Sequence, residues 1–268
     1  MLGYYLLKAI CRKRKPPSVE RGGMSGQPEM PDFNAKLSQL DRSFPNFTDM
    51  IRDKVVLDYG CGFGFQTIGM ALRGAKHVIG VEITAKEREY ASNIAEKVGI
   101  GDRVSFVQAY DMHTMKGSCD LVLTHNSMEH FDDPLKRLGE MKHALNKNGT
   151  IISTFGPPWL SPYGAHTQYM TSFPWIQIVF AEKTVMAVRS IYKKDGAEFY
   201  EQVNGGLNRL TVKKFEEIVD DAGLMITYRK DTCFMGLNRI VGGSFLREYL
   251  TYDVSVLLRV KSSLDDRI

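Results

Sequence analysis

An acid followed by three alternate glycines is the densest chemistry in this chain: Asp58, Gly60, Gly62 and Gly64 within Val-Val-Leu-Asp-Tyr-Gly-Cys-Gly-Phe-Gly, residues 55–64. Glycine frees the backbone to turn sharply and lets a ligand approach the main chain closely. A helix opening after the last glycine adds unpaired N–H groups. A dinucleotide fingerprint needs G-x-G-x-x-G, and counted from Gly60 its third glycine falls on Phe65. A carboxylate beside a helix N-terminus repels a pyrophosphate. Asp58 therefore points to a ligand with a cationic end.

This acid-and-glycine spacing resembles motif I of the class I S-adenosylmethionine-dependent methyltransferases, and the agreement extends over residues 51–155, more loosely to 260. The resemblance implies that Asp58 and the Gly60 and Gly62 backbone hold the methionine end of S-adenosyl-L-methionine. It assigns Glu82, which ends Val-Ile-Gly-Val-Glu, to the ribose hydroxyls; a carboxylate can accept both hydrogen bonds of a cis-diol. NAD-binding folds use an acid the same way, so Glu82 alone does not discriminate. By the same resemblance Asp111 accepts from the adenine amino group, with Met112 or Tyr110 on the adenine face. Asn126, in Thr-His-Asn-Ser, contacts the cofactor largely through its backbone.

The reacting residues are sought further on. Ser127-Met128-Glu129-His130-Phe131 is similar to a common segment of the family, and His130 is a candidate base or a shaper of the cofactor loop. After Phe155 the pattern gives way to Gly-Pro-Pro-Trp and then Ser-Pro-Tyr-Gly-Ala-His, residues 161–166. His166 is the leading candidate for general base, because an unperturbed imidazole titrates near neutrality and an oxygen acceptor must lose a proton. Trp159, Tyr163 and Tyr169 are expected to bind the acceptor. Trp159, Phe173 and Trp175 equally suit a small core of their own, which so long a segment needs.

Positioning these groups requires alternating strands and helices. Strands are predicted at 55–58, 77–82, 104–108, 121–124 and 150–155, with helices at 66–73, 85–98 and 134–145 between them. Thr84 is a candidate N-cap and Pro134 suits a first helical turn. Asn148-Gly149 reads as a turn. A helix at 211–222, capped by Thr211 and closed by Gly223, precedes strands at 224–230 and 252–260. The alternation implies an α/β fold with a parallel sheet, and the resemblance implies a Rossmann-like doubly wound sheet of seven strands, mostly parallel with an antiparallel last strand. One methyltransferase domain, 32–268, then carries an acceptor-site insertion at 156–205.

The chain's 268 residues, 43% hydrophobic and 25% charged, suit a soluble globular protein. The net charge of +4 is modest and concentrated in Lys8 and Arg12 to Lys15, so no nucleic-acid partner is expected. Four scattered cysteines without metal spacing point to a reducing, cytoplasmic setting and to no metal. Residues 1–31 are expected to form a flexible tail. The apolar stretch from Leu2 to Ile10 is far short of the roughly 20 residues that span a bilayer. Followed by its basic cluster, it alternatively reads as an interfacial anchor making peripheral membrane contact.

The expected function is S-adenosylmethionine-dependent transfer to a small-molecule acceptor, at the oxygen of a saccharide or natural-product-like compound. A non-enzymatic S-adenosylmethionine-binding scaffold is the alternative, and an NAD-linked oxidoreductase a third reading. The oligomeric state is left open.

Overall fold

The computed structural model describes residues 2–11, 30–108, 114–203, 205–238 and 245–261. Helix α1 (Leu2–Ile10) is followed by α2 (Phe33–Ser43) and α3 (Phe47–Ile51). The alternating body runs β1 (Val55–Tyr59), α4 (Phe65–Leu72), β2 (His77–Val81), α5 (Ala85–Lys97), β3 (Val104–Val107), β4 (Cys119–His125), α6 (Pro134–Ala144) and β5 (Leu145–Phe155). An insertion with the short α7 (Ile176–Val179) and α8 (Glu182–Arg189) leads into α9 (Val212–Asp221), β6 (Leu224–Cys233) and β7 (Thr251–Val260).

The strands make one seven-stranded sheet in the order β3-β2-β1-β4-β5-β7-β6. β1 to β5 pair in parallel, and β7 runs antiparallel to both β5 and β6. The two-residue period of a strand divides the core between the faces. Leu57 and Tyr59 join the cluster under α6 and α9, while Val56 faces the cluster under α2 to α5. Asp58 follows on that second side and meets Thr67 of α4. Strand order reverses at β1, between β2 and β4, and such a switch point opens a crevice at the carboxyl ends of the strands.

Local signals explain the helix ends. The Thr211 hydroxyl accepts from Lys214 N at 3.1 Å to cap α9, and Gly223 leaves it at φ +66°. Pro134 begins α6 with Asp133 as its side-chain cap. Thr84 precedes α5 but makes no side-chain cap bond. Instead its N–H donates to Glu82 Oε1 at 2.9 Å.

Two expectations are corrected. Asn148 and Gly149 are not a turn between elements: β5 starts at Leu145, and its register with β4 shifts between Cys119 and Leu121 to absorb them. Residues 2–11 are not a loose tail. Leu7 is fully buried and Cys11 nearly so, in a third cluster with Ala165, Met170, Val185 and Val188. Burying one leucine contributes about 2 kcal/mol, and Tyr4 and Cys11 add to the packing that sets the helix against α8.

Candidate active site

The glycine loop is shaped by backbone and by crowding. Gly60, Gly62 and Gly64 all have positive φ, at +84°, +53° and +71°. A Cβ on Gly64 would sit 2.7 Å from both Ala91 Cβ and Phe106 Cε1, so α5 and β3 close on the loop only because no side chain intervenes. At Gly62 the nearest atom to such a Cβ would be Glu87 Oε2 at 3.7 Å. The Gly62 N–H donates to Glu82 Oε2 at 3.1 Å, which ties the end of β2 across the loop.

Three carboxylates gather here. Asp58 is buried and accepts from Thr67 Oγ1 at 2.7 Å. Burial pushes its carboxyl up to about 6, against the Thr67 hydrogen bonds, and Glu82 adds to the rise. Burial and then Glu82 likewise push Glu87 up. Arg88 Nη1 donates to the Glu82 carbonyl oxygen at 2.6 Å, and a cradle of left-handed glycines with three carboxylates fits a cationic ligand such as a sulfonium with an α-amino group better than a pyrophosphate. Both Glu82 oxygens accept a backbone N–H yet keep lone pairs for hydroxyl donors. Asp111, Tyr110 and Met112 lie outside the described residues.

Across the switch point, β4 ends in a tight 3-10 turn, Met128–His130. A Cβ on Gly60 would meet Ser127 Oγ at 2.9 Å and Phe131 Cε1 at 3.8 Å, so the two residues flanking the turn abut the glycine loop. Asn126, at φ +52°, donates its N–H to Thr154 O at 2.9 Å, committing that backbone donor within the protein. Its side-chain amide reaches Gln39 of α2 at 3.4 Å, and Gln39 also donates to Asp253 Oδ1 at 2.9 Å. Asn208 holds the turn through Nδ2 bonds to the Met128 and Phe131 carbonyls at 2.7 and 2.9 Å.

Glu129 faces the end of β5. Its Oε1 accepts from Gly156 N at 3.1 Å, and its buried Oε2 has no partner among the described residues. Burial pushes this carboxyl up, opposed by His130. Gly156 is obligatory for contact reasons, because a Cβ there would lie 2.4 Å from the Tyr252 carbonyl oxygen. The His130 Nδ1 lies 2.7 Å from Gly206 O; a carbonyl can only accept, which places the proton on Nδ1 and the lone pair on Nε2.

His166 stands edge-on to His130, ring centroids 5.5 Å apart, with its backbone at φ +53°. Burial, then His130, lower it to about 4, against a hydrogen bond that the ring donates to the Pro157 carbonyl. Its Nε2 is buried without a partner among the described residues. The structure therefore brings His130 and His166 together, but the latter holds its proton far more weakly than an ordinary imidazole.

The expected acceptor residues divide. Tyr163 packs edge-on against Phe234 and Tyr252 and donates its hydroxyl to Ser172 O at 3.1 Å. Trp159 and Tyr169 instead belong to the third cluster. Trp159 meets Tyr200 at 4.9 Å and lies under the Arg209 guanidinium, and Tyr169 meets Tyr192 and the Lys193 ammonium. Their aromatic bulk serves the insertion's own packing, which composition alone does not separate from a ligand wall. Glu129, Asn208 and Gln39 are contributors that sequence reasoning did not assign; Glu129 at least sits inside the motif that named His130. Among the described residues no group of three or more His, Cys, Asp or Glu is placed to hold a metal ion.

A 3-2-1-4-5-7-6 sheet with an acid-flanked glycine loop at its switch point defines a class I S-adenosylmethionine-dependent methyltransferase fold. The chain belongs to the methyltransferase-domain family, whose model matches residues 52–223. It is similar to protein arginine N-methyltransferase 1 of Saccharomyces cerevisiae, 35% identical over 78 residues, 28% of this chain and 22% of that protein. It is also similar to an uncharacterized methyltransferase of Mycobacterium sp. strain JLS, 31% identical over 120 residues and 45% of each chain. The chain thus spans less than half the length of these curated relatives. A geranyl diphosphate methyltransferase solved with GPP and sinefungin superposes with a TM-score of 0.56 at 16% identity, over 85% of this chain and 79% of that one. That likeness concerns the fold.

Proposed function

We propose that this chain transfers a methyl group from S-adenosyl-L-methionine to an oxygen of a small or medium acceptor, a saccharide or natural-product-like compound. The observation that carries the reading is the negatively charged glycine cradle at the switch point. When bound, the cofactor supplies an electrophilic methyl group on a sulfonium. Asp58 and the Gly60 and Gly62 backbone hold its methionine end, Glu82 its ribose, Asp111 its adenine, and Asn126 closes the far side of the crevice.

The acceptor half rests on the polar groups around the Gly156-Pro157 step. Glu129 Oε2 and His166 Nε2 are both buried and unpartnered among the described residues. Leaving such groups unsatisfied costs about 1–3 kcal/mol each, so a polar acceptor is favoured over a hydrocarbon one. His130 is the better base, since its Nδ1 is fixed on Gly206 O and its Nε2 lone pair is available to take the acceptor proton. His166, neutral at pH 7 and weakly basic, orients the acceptor by hydrogen bonding. Tyr163 forms an apolar wall. The arginine nitrogen and the geranyl diphosphate in the names of its relatives are the competing acceptor chemistries.

The test is incubation with methyl-labelled cofactor and a cell extract, followed by separation of small molecules, protein and nucleic acid. Label in an oxygen-methylated small molecule is expected. Label in protein arginine or in an isoprenoid would replace the acceptor assignment. Cofactor binding with no label transfer to any fraction would favour a scaffold.

A further inference from the structure

We infer that the outer face of α1 seats on the surface of an anionic lipid bilayer. Helix α1 is apolar on two opposite sides. Its inner side, Tyr4, Leu7 and Cys11, packs into the third cluster with α8. Its outer side presents Leu2, Tyr5, Leu6 and Ile10, which are 75%, 64%, 53% and 40% exposed. A helix that is hydrophobic all round is normally covered all round, and among the described residues the cover comes from α8 and the insertion on the inner side alone.

The adjoining corner continues the pattern. A Cβ on Gly3 would lie 3.7 Å from Thr184 Cγ2 and 3.9 Å from Phe180 Cδ1, which sets α1 against the junction of α7 and α8. There α7 leaves Ile178 46% and Val179 60% exposed. Thr171 fixes the end of α1 by donating to Ile10 O at 3.2 Å. The apolar face is thus mounted on folded structure and is no loose tether.

Charge selects the occupant. Arg12-Lys13-Arg14-Lys15 follow the helix directly in sequence, and Lys8 projects on its flank over the Tyr4 ring. Residues 12–15 lie outside the described residues, but in sequence an apolar helical stripe followed at once by a dense cationic run matches the acyl boundary and anionic headgroups of a bilayer. A two-fold contact between copies of this chain would bring two such runs together and repel. Nine residues of helix are too short to cross a bilayer, so α1 lies in the plane of the interface. Ala165, next to His166, sits in the same cluster as Leu7. Docking would therefore hold the acceptor insertion at the lipid surface, whichever acceptor it takes.

The experiment is co-sedimentation of the full chain with phosphatidylcholine vesicles, with and without phosphatidylglycerol. Binding that needs phosphatidylglycerol and weakens with salt is expected. Each basic residue near an anionic surface is worth about 1 kcal/mol, so Lys13→Gln with Arg14→Gln should lower partitioning roughly 30-fold. Tyr5→Ser with Leu6→Ser should also lower it. Circular dichroism and affinity for adenosylhomocysteine should be unchanged in these variants, which separates loss of docking from misfolding. Absence of binding to the anionic vesicles, or binding indifferent to both variants, would overturn the inference. So would a dimer in light scattering that the Tyr5→Ser, Leu6→Ser variant dissociates.

Discussion

Asp58 is held near pH 6 because burial disfavours its charge and Glu82 stands close by. The positive charge of a cationic ligand opposes both effects, so it selects the ionised carboxyl. Affinity for adenosylhomocysteine, which keeps the α-amino group, should rise about tenfold between pH 5 and 7.5 and then level off, as calorimetric titration would show. The sign for stability is opposite. A raised carboxyl binds protons more readily folded than unfolded, so the ligand-free protein loses stability as pH rises from 3.8 toward 6 through this group. For His166 the depressed value means the unfolded chain binds the proton first, and stability falls as pH drops from 6.5 toward 4. His130→Asn should lower kcat by about 100-fold or more with little change in KM, as expected for loss of a general base. Gly156→Ala forces a Cβ onto the Tyr252 carbonyl and should cost about 2–3 kcal/mol in urea unfolding.

The Met128–His130 turn shows how elements position these residues. It is held from outside by Asn208, whose backbone N–H also donates to Glu129 O at 3.0 Å. Asn208→Ala removes two side-chain bonds to the turn and should cost about 2 kcal/mol while weakening both cofactor and acceptor binding. Such a long-range clamp leaves no trace in sequence spacing, since Asn208 lies 80 residues from Met128. What was legible followed local rules: the short apolar runs of β1 and β2, the Thr211 and Gly223 ends of α9, the Pro134 start of α6. The early start of β5 was hidden because Asn148-Gly149 is turn-like locally, and only pairing with β4 overrides it. The docking of α1 was hidden likewise, because Leu7 finds its partners more than 150 residues away, at Ala165 and beyond.

At the scale of the whole molecule, strand order concentrates the chemistry. β1 lies between β2 and β4, so the glycine loop, Glu82 and the His130 turn converge on one edge although they arise from separate parts of the chain. On the proposed reading, acid from two strand ends and donors from one loop make a site whose charge discriminates between nucleotide ligands. The sharpest test is calorimetric titration of the full chain with adenosylhomocysteine and, separately, NAD. The wild-type protein should bind adenosylhomocysteine and not NAD, and Asp58→Asn should weaken that binding about 10- to 100-fold, the value of a charged hydrogen-bond partner. Binding of NAD, or adenosylhomocysteine affinity unchanged in Asp58→Asn, would contradict the account.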